Sequence, residues 1–336
     1  MTFERIQLQF FRNYTQQEFC FVPGINPIVG PNGIGKSSLL EALSILSIGR
    51  SFRTHKLCDT IHSTADQFIL QANFTQDSVE QTISYQYSPK QKRICHNQTP
   101  YATHTPLLGL LPSIVLSSHD QYLIEGSPQE RRRFLNIHLA QHDPQYTLHL
   151  TRYTQALRQR NCLLKQRITR GIEAWESVMA ESARYLQKQR SCCIRTLSET
   201  LPKEYEKLTG TQLEVPSLSY TPSLPDYDEQ RQKDLEYQYT RYGPHRDDWM
   251  LYLNEGPAKV LASEGQKQCL IYALRFTQCR MIEQAFLAID DFAAHLDRGR
   301  QERLLEQLQT FGQVFLTTPV PMEALPTTGL HSVVLT

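Results

Sequence analysis

Residues Gly30-Pro31-Asn32-Gly33-Ile34-Gly35-Lys36-Ser37 fit the pattern G-x-x-x-x-G-K-[ST], and few short stretches restrict a chain so tightly. The pattern works only between a buried strand and a helix, and both are legible in the flanks. Ile25 to Val29 reads as a short apolar strand, and Ser37-Ser38-Leu39-Leu40-Glu41-Ala42-Leu43 reads as a helix. Glycine lets the backbone wrap an anion closely, and the N–H groups and helix start present positive potential to it. Lys36 can then reach the outer phosphates of a nucleoside triphosphate, and Ser37 can hold Mg²⁺ through its hydroxyl. Gly30, Asn32, Gly33, Gly35, Lys36, Ser37 and Ser38 are the expected nucleotide cradle.

A second feature lies far downstream. Ala285-Phe286-Leu287-Ala288-Ile289 is an apolar strand that ends in Asp290-Asp291. Two adjacent carboxylates at the C-terminal end of a buried strand suit metal binding and water activation beside bound phosphates. Asp290 is expected to hold Mg²⁺ through water and Asp291 to orient the attacking water, with Lys36 the third catalytic candidate. About two dozen residues earlier, Ser263-Glu264-Gly265-Gln266 opens an amphipathic helix marked by Leu270, Leu274 and Phe276. A phosphate loop, a distant S-x-G-Q helix start and a carboxylate strand in that order resemble the ATP-binding-cassette arrangement. In that arrangement the serine and helix start act on a partner's ATP, so a nucleotide-gated homodimer with two composite sites is implied.

The rest of the chain fits a soluble ATPase better than a membrane or disulfide protein. Of 336 residues, 40% are apolar and the net charge is +1, with no long apolar run and no basic-apolar leader, so a cytoplasmic location is expected. The eight cysteines show no C-x-x-C spacing and read as reduced packing residues. Phe3, Ile6, Leu8 and Phe10 come close to alternating with polar residues and predict a strand. Arg12, in the turn after it, either lies over the nucleotide or belongs to a surface turn. The cationic loop Gly49–Lys56, with Arg50, Arg53 and Lys56, is a nucleic-acid contact or a solvated loop. Further strands follow from Phe68 to Tyr87 and at Ile114–Leu116.

The composition then turns helical. Ser127-Pro128-Gln129-Glu130 carries a capping-box pattern with Pro at the first helical position. From Arg131 to about Leu201, Phe134, Tyr153, Leu164, Ile168, Trp175, Met179, Leu186, Ile194 and Leu197 recur at helical spacing and predict core stripes. The first part of this stretch is strongly basic. Arg131, Arg132, Arg158 and Arg160 are the candidates for polyanion contact there, against the plainer reading of a solvated face. His138 and His142 have helical zinc spacing, but the residues between them offer no Glu and no third ligand is near in sequence. Prolines 202, 216, 222 and 225 predict an irregular segment, followed by a polar helix over 227–239 and a hairpin turning near Asn254-Glu255-Gly256.

Together these readings predict an α/β P-loop NTPase of the ATP-binding-cassette type with an inserted, mainly helical lobe. The ATPase lobe is expected over 1–118 and 268–336, and the inserted basic lobe over 119–267. The segments FFRNY, GPNGIGKSSLLEAL, GRSFRT, EGSPQERRRFLN, ALRQRNCLLK, GPHRDD and IDDFAAHLD resemble the RecF family of bacterial recombination-repair proteins across nearly the whole chain. That family is similar to the heads of Rad50 and the chromosome-maintenance (SMC) ATPases. The resemblance implies ATP-dependent dimerisation on gapped or junction DNA, slow DNA-stimulated hydrolysis, and loading of RecA together with RecO and RecR. It also implies that Lys36 and Ser37 bind nucleotide and metal, that Ser263 and Gly265 form the signature with Gln266, and that Asp290 and Asp291 are the metal and water pair. Gln121 matches the γ-phosphate-sensing glutamine weakly. Ala294 stands where the family has serine, and Glu264 brings a negative charge into the signature. Thr317 and Thr318 stand where transporters carry histidine, which counts against a transport ATPase. An ATP-locked assembly module with incidental hydrolysis is the other alternative, since Asp291 is shorter than the glutamate common at its position.

Overall fold

The computed structural model describes residues 1–292, 296–319 and 333–335. Contacts divide the chain into two compact units. One comprises Met1–Asp120, Lys203–Gln212 and Glu264–Thr336, and the other Gln121–Pro202 and Leu213–Ser263.

The first unit begins with β1 (Thr2–Phe11), β2 (Tyr14–Cys20) and β3 (Gly24–Val29), followed by the phosphate-loop residues and α1 (Lys36–Ile48). Next come β4 (Phe68–Gln76), β5 (Val79–Tyr87), β6 (Lys92–His96), β7 (Thr99–Tyr101) and β8 (Ser113–Leu116). The strands sort into two sheets. A six-stranded antiparallel sheet runs β2-β1-β4-β5-β6-β7. The second sheet is completed by elements from the far end of the chain, as described below.

α1 is apolar nearly all round, with Leu39, Leu40, Leu43, Ile45 and Leu46 buried, as a helix enclosed by the core requires. Each such side chain stabilises the fold by about 1.5–3 kcal/mol. Gly49 ends the helix in the left-handed region at φ 71°, where a side chain would also run into His104.

The second unit holds α2 (Tyr122–Glu125), α3 (Pro128–His142), α4 (Pro144–Lys165), most of α5 (Ile172–Thr209), β9 (Pro216–Thr221), α6 (Tyr227–Tyr237), β10 (Asp248–Leu253), β11 (Gly256–Pro257) and α7 (Ala258–Leu261). Its three strands pair in the order β11-β10-β9. Three expectations are corrected here. Pro202 does not break the chain but lies inside α5, which runs on to Thr209. Its last turns group with the first unit because Glu204 pairs with Arg280 at 3.2 Å and Thr209 accepts from Arg303 at 3.3 Å. Ser127 is the N-cap of α3 but makes no side-chain cap hydrogen bond. Trp175 and Ile168, read as core, are 37% and 41% exposed.

The chain then returns to the first unit through α8 (Glu264–Met281), β12 (Phe286–Ile289), α9 (Arg298–Leu308), β13 (Gln313–Thr318) and β14 (Val333–Val334). The second sheet is parallel, with order β14-β3-β13-β12-β8. Phe3 of β1 meets Phe286 and Phe315 of this sheet edge-on at 6.0 and 6.1 Å, so the two sheets share one core. Because the strands are parallel, Gly30, Ser117, Asp290 and Thr318 all lie at one edge, where ligands bind in such sheets. β13 separates β3 from β12, so the strands that carry the loop and the carboxylate pair run about 10 Å apart and only their side chains close the gap. Among the described residues no helix is long and apolar enough to cross a membrane.

Candidate nucleotide site

The loop that follows β3 is shaped by its glycines and fastened by its neighbours. Gly35 adopts φ 121°, and a side chain there would run into Asn13 and Tyr14. Asn13 donates to Ile34 O at 2.6 Å and the Tyr14 hydroxyl to Gly35 O at 3.1 Å, so the turn after β1 braces the loop from outside. Burial holds the Tyr14 phenol well above its ordinary range, which keeps it neutral and donating. Lys36 turns its ammonium inward, onto Gly30 O at 2.7 Å and Pro31 O at 3.0 Å. That fold-back sets the cation inside the loop. Ser38 is buried, while Asn32 and Gly33 are exposed at the loop tip.

The carboxylates meet the loop directly. Ser37 donates its hydroxyl to Asp290 Oδ1 at 2.7 Å, and Thr317 donates to the same oxygen at 2.9 Å. Asp291 is exposed, sits in the left-handed region at φ 55°, and donates its N–H to Thr317 Oγ1 at 2.8 Å. Burial raises Asp290 above its ordinary value and Asp291 adds repulsion, while Ser37, Thr317 and Arg53 act the other way. Thr317 therefore ties both aspartates to the strand between them and the loop. The sequence named it only as a position lacking histidine.

Arg12, expected near the nucleotide, makes a two-pronged bond to Glu41 of α1 at 2.7 and 2.7 Å and donates to Asp59 O at 2.8 Å. Glu41 is fully buried and the sequence reading passed over it. Arg50, Arg53 and Lys56 are exposed, as a contact loop needs, and Arg53 stands 3.7 Å from Glu41.

Gly265 and Gln266 lie in the first turn of α8, and Ser263 is the last residue of the second unit. α8 leads into β12, so it runs against the strand and its start points toward the loop-bearing edge. With 18 residues against four, it is about 27 Å long against about 13 Å. Glu264 pairs with Lys267 at 2.9 Å, which offsets the charge it brings to the signature. Gln121 closes the 3-10 turn Ser118–Gln121 after β8, where Arg275 of α8 makes a two-pronged ion pair with Asp120. Ala294 falls outside the described residues.

The basic face of the second unit is corrected in part. Arg160 is fully buried, donating to Glu176 at 3.0 Å and to Asp234 and Thr240 at 2.8 Å. Arg131 is buried against Asp248 at 2.7 and 2.8 Å. Neither guanidinium is available to DNA phosphate. Arg132 is half-buried and donates to Asp247 O at 2.8 Å, while Arg158 is exposed. Among the described residues no cluster of His, Cys, Asp and Glu could hold a metal by itself, and His138 and His142 pack ring edge to face at 4.9 Å.

A phosphate loop, a carboxylate pair two strands away and the intervening threonine strand define a P-loop ATPase of the ATP-binding-cassette type. The family profile described as RecF/RecN/SMC N terminal domain matches residues 2–322. The chain is 40% identical over 96% of its length to the DNA replication and repair protein RecF of Protochlamydia amoebophila, covering 95% of that protein. To the same-named protein of Chlamydia trachomatis it is 39% identical over 96%, covering 93%. A solved RecF–ATP structure, titled as the recombination mediator protein in the RecFOR pathway, superposes with TM-score 0.87 at 26% identity, covering 96% of this chain and 93% of that one. An Smc head bound to the C-winged helix domain of ScpA superposes at 0.57 with 17% identity, covering 96% and 90%, and shares the fold alone. The chain belongs to the RecF family.

Proposed function

We propose that this chain is an ATP-dependent DNA-binding protein of recombinational repair, which dimerises on gapped or junction DNA and works with RecO and RecR to load RecA. Its ATPase activity is slow and stimulated by DNA. The observation that carries the nucleotide part is the shared oxygen of Asp290, held by Ser37 of the loop helix and Thr317 of the next strand. Two oxygen donors 2.7 Å apart at the foot of a phosphate loop fit Mg²⁺, which prefers hard ligands and keeps several waters. Held there by Ser37 and Asp290, the ion would neutralise charge on the outer phosphates. Lys36 would turn from the loop carbonyls to phosphate, and Asp291 would align the attacking water. Ser263 and Gly265 would complete the partner's site, a reading supported by the order of phosphate loop, S-x-G-Q helix start and carboxylate strand along the chain.

The exposed cations Arg50, Arg53, Lys56 and Arg158, together with the half-buried Arg132, are the candidate DNA contacts. They are suited to backbone phosphate, since no groove-reading motif accompanies them. Measuring ATP hydrolysis with and without gapped duplex DNA tests the proposal. Stimulation is expected. A rate indifferent to DNA would instead favour an ATP-locked assembly module.

A further inference from the structure

Glu41 lies one helical turn beyond Ser37 on α1, and none of it is exposed to solvent. An isolated carboxylate at such a depth is costly, so its partners define its purpose. Arg12 holds it through two hydrogen bonds of 2.7 Å. The Ser51 hydroxyl donates to it as well. Ser51 in turn is the hub of the cationic loop, accepting the N–H of Arg53 at 2.9 Å and of Thr54 at 3.0 Å. The Arg53 guanidinium stands at 3.7 Å, looser than Arg12 and 41% exposed.

We propose that Glu41 is a positioning residue that couples the cationic loop to the phosphate-loop helix, so that a polyanion drawing on Arg53 shifts the geometry of the nucleotide site. The proposal rests on the reading of this site as a DNA-stimulated ATPase. Ser51 sets the loop backbone on Glu41, Arg12 fixes Glu41 in place, and Arg53 is the one arm of the network free enough to change partner. A DNA phosphate that takes Arg53 from Glu41 leaves Arg12 and Ser51 to hold the carboxylate, and so changes the load on the helix that carries Lys36 and Ser37.

Two variants test this, each read by KM for ATP and by the ratio of hydrolysis rates with and without gapped DNA. Both readouts describe only molecules that are folded and active, so a smaller folded fraction leaves them unmoved. Ser51→Ala frees the loop while keeping Arg12 on Glu41. It is expected to reduce the stimulation ratio severalfold with KM close to wild type. Glu41→Gln loosens both arginines, and is expected to raise KM by roughly tenfold, the worth of one charge-assisted hydrogen bond, and to abolish stimulation. If Glu41→Gln does not fold, Ser51→Ala decides the matter alone. A wild-type rate indifferent to DNA sinks both this inference and the reading beneath it. A stimulated wild type with an equally stimulated Ser51→Ala sinks this inference only.

Discussion

At Asp290, burial and hydrogen bonding pull in opposite directions. Burial dominates and raises its pKa above the ordinary value of 3.8, against the hydroxyls of Ser37 and Thr317. The native state therefore holds this proton more tightly than the unfolded chain does. The sign follows from linkage: ionised Asp290 costs stability from its ordinary value upward, and the cost is absent well below it. Asp290→Asn, which keeps an acceptor for both hydroxyls, is expected to raise Tm at neutral pH without Mg²⁺ and to lose that gain toward about pH 4. It should also abolish hydrolysis. Thermal scans across pH check this, and a lower Tm at neutral pH would contradict it. Asp290, Asp291, Lys36 and Ser37 were all legible in the sequence, because each is fixed by a local pattern. Thr317 and Glu41 were not. Their contacts exist only because β13 is laid beside β12, and because the chain after β1 returns to α1.

The same distinction holds for whole elements. Hydrophobic periodicity announced the helices of the second unit, yet two of the arginines offered there for polyanion contact, Arg131 and Arg160, are buried in ion pairs. Arg131 pairs with Asp248, Arg160 with Glu176 and Asp234, and Arg190 with Asp247 at 2.7 Å. Most of these acids arrive from segments far along the chain, so part of a run of one sign in sequence is neutralised in space. Arg160→Ala should take one of two arginines from each of the buried Glu176 and Asp234, which keep Arg231 and Arg241, and cost about 3 kcal/mol, seen as a marked fall in Tm. Arg158→Ala, two residues away but exposed, should leave Tm unchanged and lower the salt slope of DNA binding by about one. Equal effects of the two on stability would refute this division.

The C-terminus of α1 offers a second test at this scale. His104 donates its Nε2–H to Leu46 O at 3.0 Å, and burial, aided by Lys92, lowers its pKa to about 4. The folded state thus binds this proton more weakly than the unfolded state does, and stability drains away as pH falls below the ordinary value of 6.5. Urea titrations of wild type should lose about 2 kcal/mol through this group between about pH 7 and pH 5. His104→Gln should flatten that limb.

For the molecule as a whole, the order of the three motifs was enough to predict the fold class, since each marks the C-terminal edge of a parallel strand or the start of a helix that leads into one. The six-stranded antiparallel sheet was less visible. β2 and β7 are short or polar, and their pairing is set by neighbours rather than by their own patterns. The reading of Ser263 and Gly265 at the start of α8 as part of a partner's site makes the account depend on a second copy of the chain. Light scattering of the protein with ATP and gapped DNA tests that dependence most directly. Wild type should show twice the chain mass and Ser263→Arg, with its cation in the partner's phosphate pocket, a single mass despite normal ATP binding. A Ser263→Arg protein that dimerises as wild type does would contradict the composite site.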